Sequence, residues 1–307
     1  MSSGKLSNTT RGNGLYHLLA IAVAAIWGTT FISSKVLIEE GLSPAEIMLL
    51  RFVIAYIGIL FFSREKLWAD SLKDELWMVL LGVTGGSLYF LLENTALIYT
   101  QASNVAIIIA TTPLLTTLAV DLLSKREKIN RKIYYYSLCS LLGVGLVVFN
   151  GKFILKLNAL GDILTLGASA MWVIYSIAIL KVQERYSSLM ITRKIFFYGI
   201  VTLLPYFAFE PMDLSWAKLC TPVVAGNLIF LGVLASLVCY IGWNVVIEKL
   251  GAVDSTNYLY LNPIVALVTS YLVLGERITW LAILGTVLIL LGVILSEKLG
   301  RKRKITP

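Results

Sequence analysis

The sequence predicts an all-α integral membrane protein with ten transmembrane helices in two inverted five-helix repeats and both termini in the cytoplasm. Three observations predict this fold class. Hydrophobic residues make up 58% of the 307 residues and charged residues only 14%, against about 25% charged residues in soluble domains. Long apolar runs recur along the whole chain, and one pattern of residues returns 150 positions later.

The apolar runs are long enough to cross a bilayer. A helix that rises 1.5 Å per residue needs about 20 residues to span a hydrocarbon core of about 30 Å. Helices are expected because an open strand cannot satisfy its backbone hydrogen bonds in lipid. The predicted spans are residues 15–38, 44–62, 75–99, 103–123, 133–150, 159–182, 189–209, 221–247, 255–274 and 279–297.

Basic residues are concentrated on one side of this topology. With the N-terminus in the cytoplasm, 20 Lys and Arg residues fall in inside segments and 5 fall in outside segments. This positive-inside bias places both termini in the cytoplasm of a multi-pass protein of the cell's plasma or inner membrane. The net charge of +8 is thereby explained without a nucleic-acid partner, and the basic tail at 298–307 is expected to lie against anionic lipid.

The two halves share residues at a constant offset. The matched positions are LGV at 81–83 with 231–233, Asn94 with Asn244, Ala102 with Ala252, and Pro113 with Pro263. Five spans per half is an odd number, so the second half enters the membrane from the opposite side. Inverted repeats of this kind give secondary transporters two mirror-related conformations, and the substrate site lies between the repeats. The predicted organisation is an N-terminal segment at 1–14, repeats at 15–150 and 159–297, and the tail at 298–307.

Short motifs in both halves resemble those of the EamA-type family in the drug/metabolite transporter superfamily. They are Trp27-Gly28-Thr29-Thr30-Phe31, Arg51-Phe52, Ala96 to Pro113, Leu261-Asn262-Pro263, Leu274-Gly275-Glu276-Arg277, Gly285 and Leu291-Gly292-Val293. The resemblance covers about residues 15–297. It implies a two-repeat transporter with cytoplasmic termini and a central cavity, which exports amino acids, other small metabolites or drugs. It does not supply a substrate.

Polar and aromatic residues recur at helical spacing on one face of several spans. Polar faces in lipid must look toward protein or toward a wet cavity. The candidate substrate-binding residues are Trp27, Thr30, Phe31, Arg51, Tyr89, Glu93, Trp172, Ser176, Tyr240, Trp243, Asn244, Tyr258 and Asn262. The alternative interpretation is helix packing through small residues and interhelical hydrogen bonds, which produces the same pattern.

Two charged residues lie inside predicted spans. Glu93 is the one acid well within a span, where an unpaired carboxylate costs several kcal/mol, so it is expected to be protonated, paired or solvated. It is either a proton-coupling or cation-binding group, or a hydrogen-bonded structural residue. Arg51 can snorkel outward, pair with Glu93, or bind a substrate carboxylate.

Proline and glycine residues mark places where helices bend or touch. Pro113 and Pro263 each remove one backbone hydrogen bond and are predicted to kink or locally open their helices. Such breaks either expose carbonyl groups to substrate or act as fixed bends. Gly143 and Gly285 suit close helix contacts, within the chain or across a dimer face.

These features favour a secondary transporter that exports a small amphiphilic metabolite, an amino acid or related compound, by alternating access. The alternative is a proton-coupled multidrug efflux pump. An enzyme is not expected, because no HExxH, Ser/His/Asp set or Gly-rich phosphate loop occurs. The single His and three distant Cys residues predict no metal and no cofactor. The expected partners are the small-molecule substrate, membrane lipid and, if Glu93 couples transport, protons; a monomer and a homodimer both remain open.

Cysteine labelling tests the predicted topology. In a background without the three native cysteines, cysteines at Lys152 and Lys218 should react with a membrane-impermeant reagent in intact cells, because both positions fall in outside segments. Cysteines at Lys128 and Arg303 should stay unlabelled. The reverse pattern would show that the chain is inserted the other way round.

Overall fold

The computed structural model describes residues 7–100, 102–123, 129–149, 158–274 and 278–303. Within these ranges the chain forms helices and no strands, as the all-α class requires. Residues 1–6 of the N-terminal segment, residues 304–307 of the basic tail, and the labelling positions Lys128 and Lys152 lie outside the described residues.

Helices of different lengths follow one another through the first half of the chain. They are α1 (Ser7–Glu39), α2 (Pro44–Leu60), α3 (Leu72–Gly82), α4 (Leu88–Tyr99), α5 (Ala102–Ile109), α6 (Thr112–Leu123) and α7 (Lys132–Phe149). A π-helical segment, Val83–Ser87, joins α3 to α4 without interrupting the rod.

The second half is built in the same way. Its helices are α8 (Ala159–Ala178), α9 (Ser188–Leu203), α10 (Trp216–Leu219), α11 (Pro222–Ile229), α12 (Cys239–Leu250), α13 (Ala252–Thr256), α14 (Asn262–Leu274) and α15 (Trp280–Arg303). A π-helical segment, Phe230–Val238, joins α11 to α12, and a 3₁₀ segment, Asn257–Leu261, joins α13 to α14.

Many of these helices are suited to a bilayer. Among the described residues, eight are long and apolar enough to cross a membrane, which makes the chain a multi-pass membrane protein. They cover Gly14–Glu39, Leu72–Tyr99, Val105–Leu123, Lys132–Phe149, Ala159–Lys181, Ser188–Ala208, Pro222–Leu250 and Trp280–Leu299. The two further predicted spans correspond to α2, with 17 residues, and to the interrupted α13–α14 segment. Ten spans and cytoplasmic termini remain predictions.

Side-chain caps begin several helices. Such caps satisfy backbone N–H groups that have no partner in the first helical turn. The capping residues are Ser43 before α2, Ser71 before α3, Asn158 before α8 and Ser187 before α9. At α2 the cap is reciprocal, because the Glu46 carboxylate accepts the backbone N–H of Ser43 at 2.8 Å.

Helical irregularities occur at matching places in the two halves. The π-helical segment 83–87 falls, at the 150-residue offset, within the π-helical segment 230–238. The break between α5 and α6 at 110–111 falls, at the same offset, within the 3₁₀ segment 257–261. Both breaks lie just before the equivalent prolines, Pro113 and Pro263, whose missing N–H group removes one hydrogen bond.

The two halves interlock. Helix α2 packs against the π-helical segment 230–238, and α9 packs against its counterpart at 83–87. Likewise α1 packs against α12, and α8 packs against α4. Each contact that the first half makes with an element of the second half is thus repeated by the equivalent elements with the halves exchanged. The interior of the bundle therefore lies between residues of different halves.

Helices α7 and α15 form a close pair through their glycines. A Cβ atom placed on Gly143 would lie 2.5 Å from the carbonyl oxygen of Gly285, and one on Gly285 would lie 2.5 Å from that of Gly143. A Cβ on Gly292 would lie 2.1 Å from Ser140 Oγ. The predicted close helix contact therefore occurs within one chain, as small residues permit in lipid.

A buried ion pair joins the two halves at the end of the bundle where α3 and α9 begin. Lys194 donates to Glu75, and their side chains are 4% and 13% exposed. Glu75 also accepts the hydroxyl of Tyr198 and, at 2.7 Å, the backbone N–H of Ala69. The Lys194 ammonium lies 4.6 Å from the centre of the Trp68 ring. The ion pair is thus surrounded by Ala69, Tyr198 and Trp68 and is largely shielded from solvent.

Removing one member of this pair should be costly. Lys194→Met leaves the Glu75 carboxylate buried without its countercharge, which typically lowers the free energy of unfolding by about 3–5 kcal/mol. The double variant Lys194→Met/Glu75→Gln should recover most of this loss, because no buried charge remains. Thermal unfolding in detergent or nanodiscs measures both effects.

The matched control is Lys66→Met. Lys66 pairs with Asp70 at 3.3 Å, but the two side chains are 82% and 65% exposed. Its removal should cost less than about 1 kcal/mol. Equal losses for Lys66→Met and Lys194→Met would contradict the role given to burial.

Candidate functional site

A cavity lies between the two halves of the bundle. Its volume is about 40 Å³, room for roughly three water molecules. Its walls combine aromatic rings, aliphatic side chains and two charged groups from both halves. The lining residues are Trp27, Thr30, Phe31, Arg51, Tyr89, Phe90, Glu93, Ile109, Thr112, Trp172, Tyr240, Leu259 and Asn262. A solute of amino-acid size would enter only if the walls moved apart.

Most of the candidate residues read from helical faces line this cavity. They are Trp27, Thr30, Phe31, Arg51, Tyr89, Glu93, Trp172, Tyr240 and Asn262. The remaining candidates, Ser176, Trp243, Asn244 and Tyr258, lie outside its lining. The structure therefore brings together one cluster from α1, α2, α4, α8, α12 and α14.

Three of the other candidates, Ser176, Asn244 and Tyr258, make hydrogen bonds outside the lining. Ser176 donates to the carbonyl of Trp172 at 2.8 Å, a bond within α8. Asn244 accepts the hydroxyl of Tyr175 and donates to Thr192 at 2.7 Å. Tyr258 lies with its hydroxyl 2.6 Å from Nδ1 of His17. The same polar pattern on a helical face thus includes both lining residues and interhelical hydrogen bonds.

Large aromatic rings close the cavity on one side. The ring of Trp27 lies 5.3 Å from that of Trp172, 5.9 Å from that of Tyr240 and 5.0 Å from that of Trp243. Trp243 is fully buried behind the lining. Edge-to-face and tilted contacts of this kind add to the stability given by burial alone. Together these rings form a rigid aromatic layer.

Two of these rings bind the π-helical segments of the opposite half. Trp27 Nε1 donates to the carbonyl of Ala235 at 2.9 Å. Tyr240 donates its hydroxyl to the carbonyl of Gly85 at 2.5 Å. A π-helical turn changes the regular hydrogen-bond ladder, and such turns are frequent at functional sites. Each half therefore anchors the irregular turn of the other half beside the cavity.

Arg51 is held in place from both halves. Its Nε donates to Ser236 Oγ at 3.0 Å, and its guanidinium carbon lies 4.1 Å from the centre of the Phe90 ring. The side chain is 2% exposed, so it does not snorkel to the surface. A guanidinium has five N–H donors, and the bond to Ser236 uses one of them. The others remain for groups in or beside the cavity.

Glu93 lies in the same cavity without a paired cation. It is 6% exposed and accepts the hydroxyl of Tyr89, one helical turn away, at 3.3 Å. Among the described side chains no ion pair within 4.0 Å joins Glu93 to Arg51. Two opposite charges therefore face one cavity and are left separate.

Three further polar atoms in the lining are buried without a hydrogen-bond partner among the described residues. They are Trp172 Nε1, Thr112 Oγ1 and Asn262 Oδ1. A buried polar group without a partner costs about 1–3 kcal/mol. One is a donor, one an acceptor, and the hydroxyl can be either. The cavity thus offers both donors and acceptors to an occupant.

Sequence reasoning missed four lining residues, Phe90, Ile109, Thr112 and Leu259. The repeat offset would have found two of them, because Phe90 lies 150 positions before the candidate Tyr240 and Thr112 lies 150 positions before the candidate Asn262. Ile109 and Leu259 are also 150 positions apart, but neither was a candidate. Three pairs of equivalent positions thus line the cavity from both halves.

The proline breaks open onto this cavity. Pro113 cannot donate to the carbonyl of Ile109, and Pro263 cannot donate to that of Leu259, since proline has no N–H. Ile109 and Leu259 both line the cavity. The two breaks therefore lie beside the cavity.

Tyr240→Phe tests the anchoring of the π-helical segment. The variant keeps the ring contacts but removes the bond to Gly85, so we expect a loss of about 1 kcal/mol in unfolding free energy. Tyr135→Phe, at a side chain that is 69% exposed, is the matched control and should be neutral. Equal thermal stability of the two variants would show that the Tyr240 hydroxyl does not anchor Gly85.

Known proteins resemble this chain along almost its whole length. An "Uncharacterized transporter" of Archaeoglobus fulgidus is 26% identical over 290 residues, which cover 92% of this chain and 98% of the relative. A "Probable terminal-alkyne amino-acid exporter" of Streptantibioticus cattleyicolor is 25% identical over 288 residues, covering 92% and 94%. A solved crystal structure shares the fold with a TM-score of 0.73 at 14% identity, covering 94% of this chain and 99% of that chain.

A family model matches both halves of the sequence. It is the model of the EamA-like transporter family, and it matches residues 14–149 and 159–297. All the cavity-lining residues fall within the matched ranges. These two matches cover most of the sequence, and the chain therefore belongs to the EamA-like transporter family.

Proposed function

We propose that this chain is a secondary transporter that exports a small amphiphilic metabolite, an amino acid or related compound, across the plasma or inner membrane by alternating access. The observation that carries the proposal is the cavity shared by both halves, in which two buried opposite charges face aromatic walls. A site between two related halves is the usual place for substrate in such transporters.

Matched irregularities support alternating access. The π-helical segments 83–87 and 230–238, and the breaks before Pro113 and Pro263, give each half the same places at which a helix can bend. The cavity is small in this arrangement of the helices, so these bends would have to widen it to admit a solute.

The lining supports an amphiphilic solute. Aromatic rings offer flat apolar surfaces with polar edges and can also contact cations. Arg51 is the one Lys or Arg in the lining that the described residues form, whereas a phosphorylated solute would call for several cations. One relative is named an amino-acid exporter, which is in line with a solute of this size and polarity.

A comparison of exported metabolites tests this proposal. Cells that produce the protein should lose a neutral amphiphilic compound of amino-acid size to the medium faster than cells without it. Trp172→Ala should lower the rate, because it removes a ring from the cavity wall, whereas Trp216→Ala, at a side chain that is 83% exposed, should not. Export of a strongly phosphorylated compound would contradict the proposal.

A specific observation favours a second candidate, a proton-coupled multidrug efflux pump. Glu93 is a buried carboxylate without a paired cation among the described residues, and such groups serve as proton carriers in many transporters. In the second half the equivalent position, 150 residues later, is Trp243. The carboxylate is therefore not part of what the two halves share, so a coupling role would belong to the first half alone.

Proton movement in proteoliposomes distinguishes the two candidates. Under the main proposal, solute flux in the wild type proceeds without proton movement. Glu93→Gln keeps the shape of the side chain but removes its charge, so it should change the rate of solute flux without changing proton movement. Glu40→Gln, at an exposed acid after α1, is the control. Proton uptake that Glu93→Gln abolishes and Glu40→Gln preserves would support the efflux pump instead.

A further inference from the structure

We propose that Arg51 and Glu93 bind the two charges of a zwitterionic substrate, Arg51 its carboxylate and Glu93 its ammonium group. The inference rests on the proposed function and adds the substrate class: neutral α-amino acids with an apolar side chain. Its starting point is the pair of opposite charges that line one cavity without forming an ion pair within 4.0 Å.

The lack of direct contact between Arg51 and Glu93 is significant because both side chains are buried. Arg51 is 2% exposed and Glu93 is 6% exposed, and a buried charge is costly unless it is paired and hydrogen-bonded. The two side chains could have neutralised each other by direct contact. A zwitterion that lies between them supplies a countercharge in direct contact with both at once, whereas a cation or an anion would contact only one of them in this way.

The guanidinium of Arg51 is prepared for a carboxylate. Ser236 accepts its Nε–H at 3.0 Å from one side, and the ring of Phe90 lies 4.1 Å away on another. These contacts fix the plane of the group and leave N–H donors at its Nη atoms. A fixed planar fork is the geometry that binds a carboxylate through two parallel hydrogen bonds.

The acceptors in the lining suit an ammonium group. An ammonium carries three donors and no acceptor. The Glu93 carboxylate can take one of them, while Thr112 Oγ1 and Asn262 Oδ1, both buried and without a partner among the described residues, can take the others. The ring of Tyr89 next to Glu93 adds a surface that attracts cations.

The rest of the lining selects the side chain of the substrate. Trp27, Phe31, Ile109 and Leu259 provide apolar surface. Among the described residues the lining contains no charged side chain beyond Arg51 and Glu93, so a third charge on the substrate would be buried without a partner. Apolar side chains are therefore accepted and charged ones rejected.

Three related ligands separate the two charges in an experiment on the full-length protein. L-phenylalanine carries both charges, phenethylamine lacks the carboxylate, and 3-phenyllactate has a hydroxyl in place of the ammonium group. Binding is measured by thermal shift of the purified protein, and by inhibition of radiolabelled L-phenylalanine exchange in proteoliposomes. For the wild type we expect each analogue to bind about 10- to 100-fold more weakly than L-phenylalanine.

The variants should remove one preference each. In Arg51→Gln, L-phenylalanine and phenethylamine should bind within about threefold of each other, because the partner of the carboxylate is gone. In Glu93→Gln, L-phenylalanine and 3-phenyllactate should become similar. Glu40→Gln, outside the cavity, should keep both wild-type preferences. Arg51→Lys keeps the charge but not the fork, so it should bind more weakly and still prefer L-phenylalanine over phenethylamine.

The outcomes distinguish this inference from the proposed function. If Arg51→Gln weakened all three ligands equally, or if the wild type did not bind L-phenylalanine, the zwitterion assignment would be wrong even where export of another amphiphilic solute continued. If L-phenylalanine bound with the expected preferences but was never transported, the assignment would stand and the transport proposal would fall. If Arg51→Gln does not fold, the ligand preferences of Arg51→Lys and Glu93→Gln test the zwitterion assignment in its place.

Discussion

In lipid every backbone polar group must find its partner inside the protein, and this constraint shapes the centre of the bundle. Regular helices meet it through one repeating hydrogen-bond pattern, whereas a π-helical turn shifts that pattern and a proline removes one of its donors. Here the two π-helical segments are bound by side chains of the opposite half, Trp27 on Ala235 and Tyr240 on Gly85. The rings that line the cavity are therefore also the groups that hold the irregular turns. A movement of Trp27 or Tyr240 in the cavity wall would therefore also affect the π-helical segment to which that ring is bonded.

The same constraint applies to charge. At the end of the bundle where α3 and α9 begin, Lys194 and Glu75 neutralise each other between the halves. In the cavity Arg51 and Glu93 do not, although both are as deeply buried. A pair that is closed on itself stabilises one arrangement of helices, since moving it apart exposes two charges to an apolar interior. Because Arg51 and Glu93 do not contact each other, the stability of the cavity depends on the charge of the molecule that binds there.

Much of the fold and part of the site could be predicted from the sequence. Apolar runs of helical length predict a multi-pass all-α protein, helical faces predict Trp27 and Glu93 in the lining, and its charge inside a span predicts Arg51 there. Helical faces cannot separate a lining residue from an interhelical hydrogen bond, because both require an inward polar group; Asn244 bonds Thr192 instead. Ile109 and Leu259 are aliphatic residues in an aliphatic background, so the sequence does not distinguish them from packing residues. The π-helical turns leave no mark in hydrophobic periodicity.

Related halves need not be equal in chemistry. The pairs Ile109 with Leu259, and Thr112 with Asn262, are similar in kind and line the cavity from both sides. Glu93, in contrast, corresponds to Trp243 at the same offset, and the charge exists in the first half alone. An inverted repeat with identical residues would offer a substrate two equivalent orientations. Because one half supplies Arg51 and Glu93 while the other supplies Tyr240 and Trp172, a zwitterion in the proposed site has a single favoured orientation. Symmetry in the backbone then permits the motion, and asymmetry in the side chains determines which solute is moved.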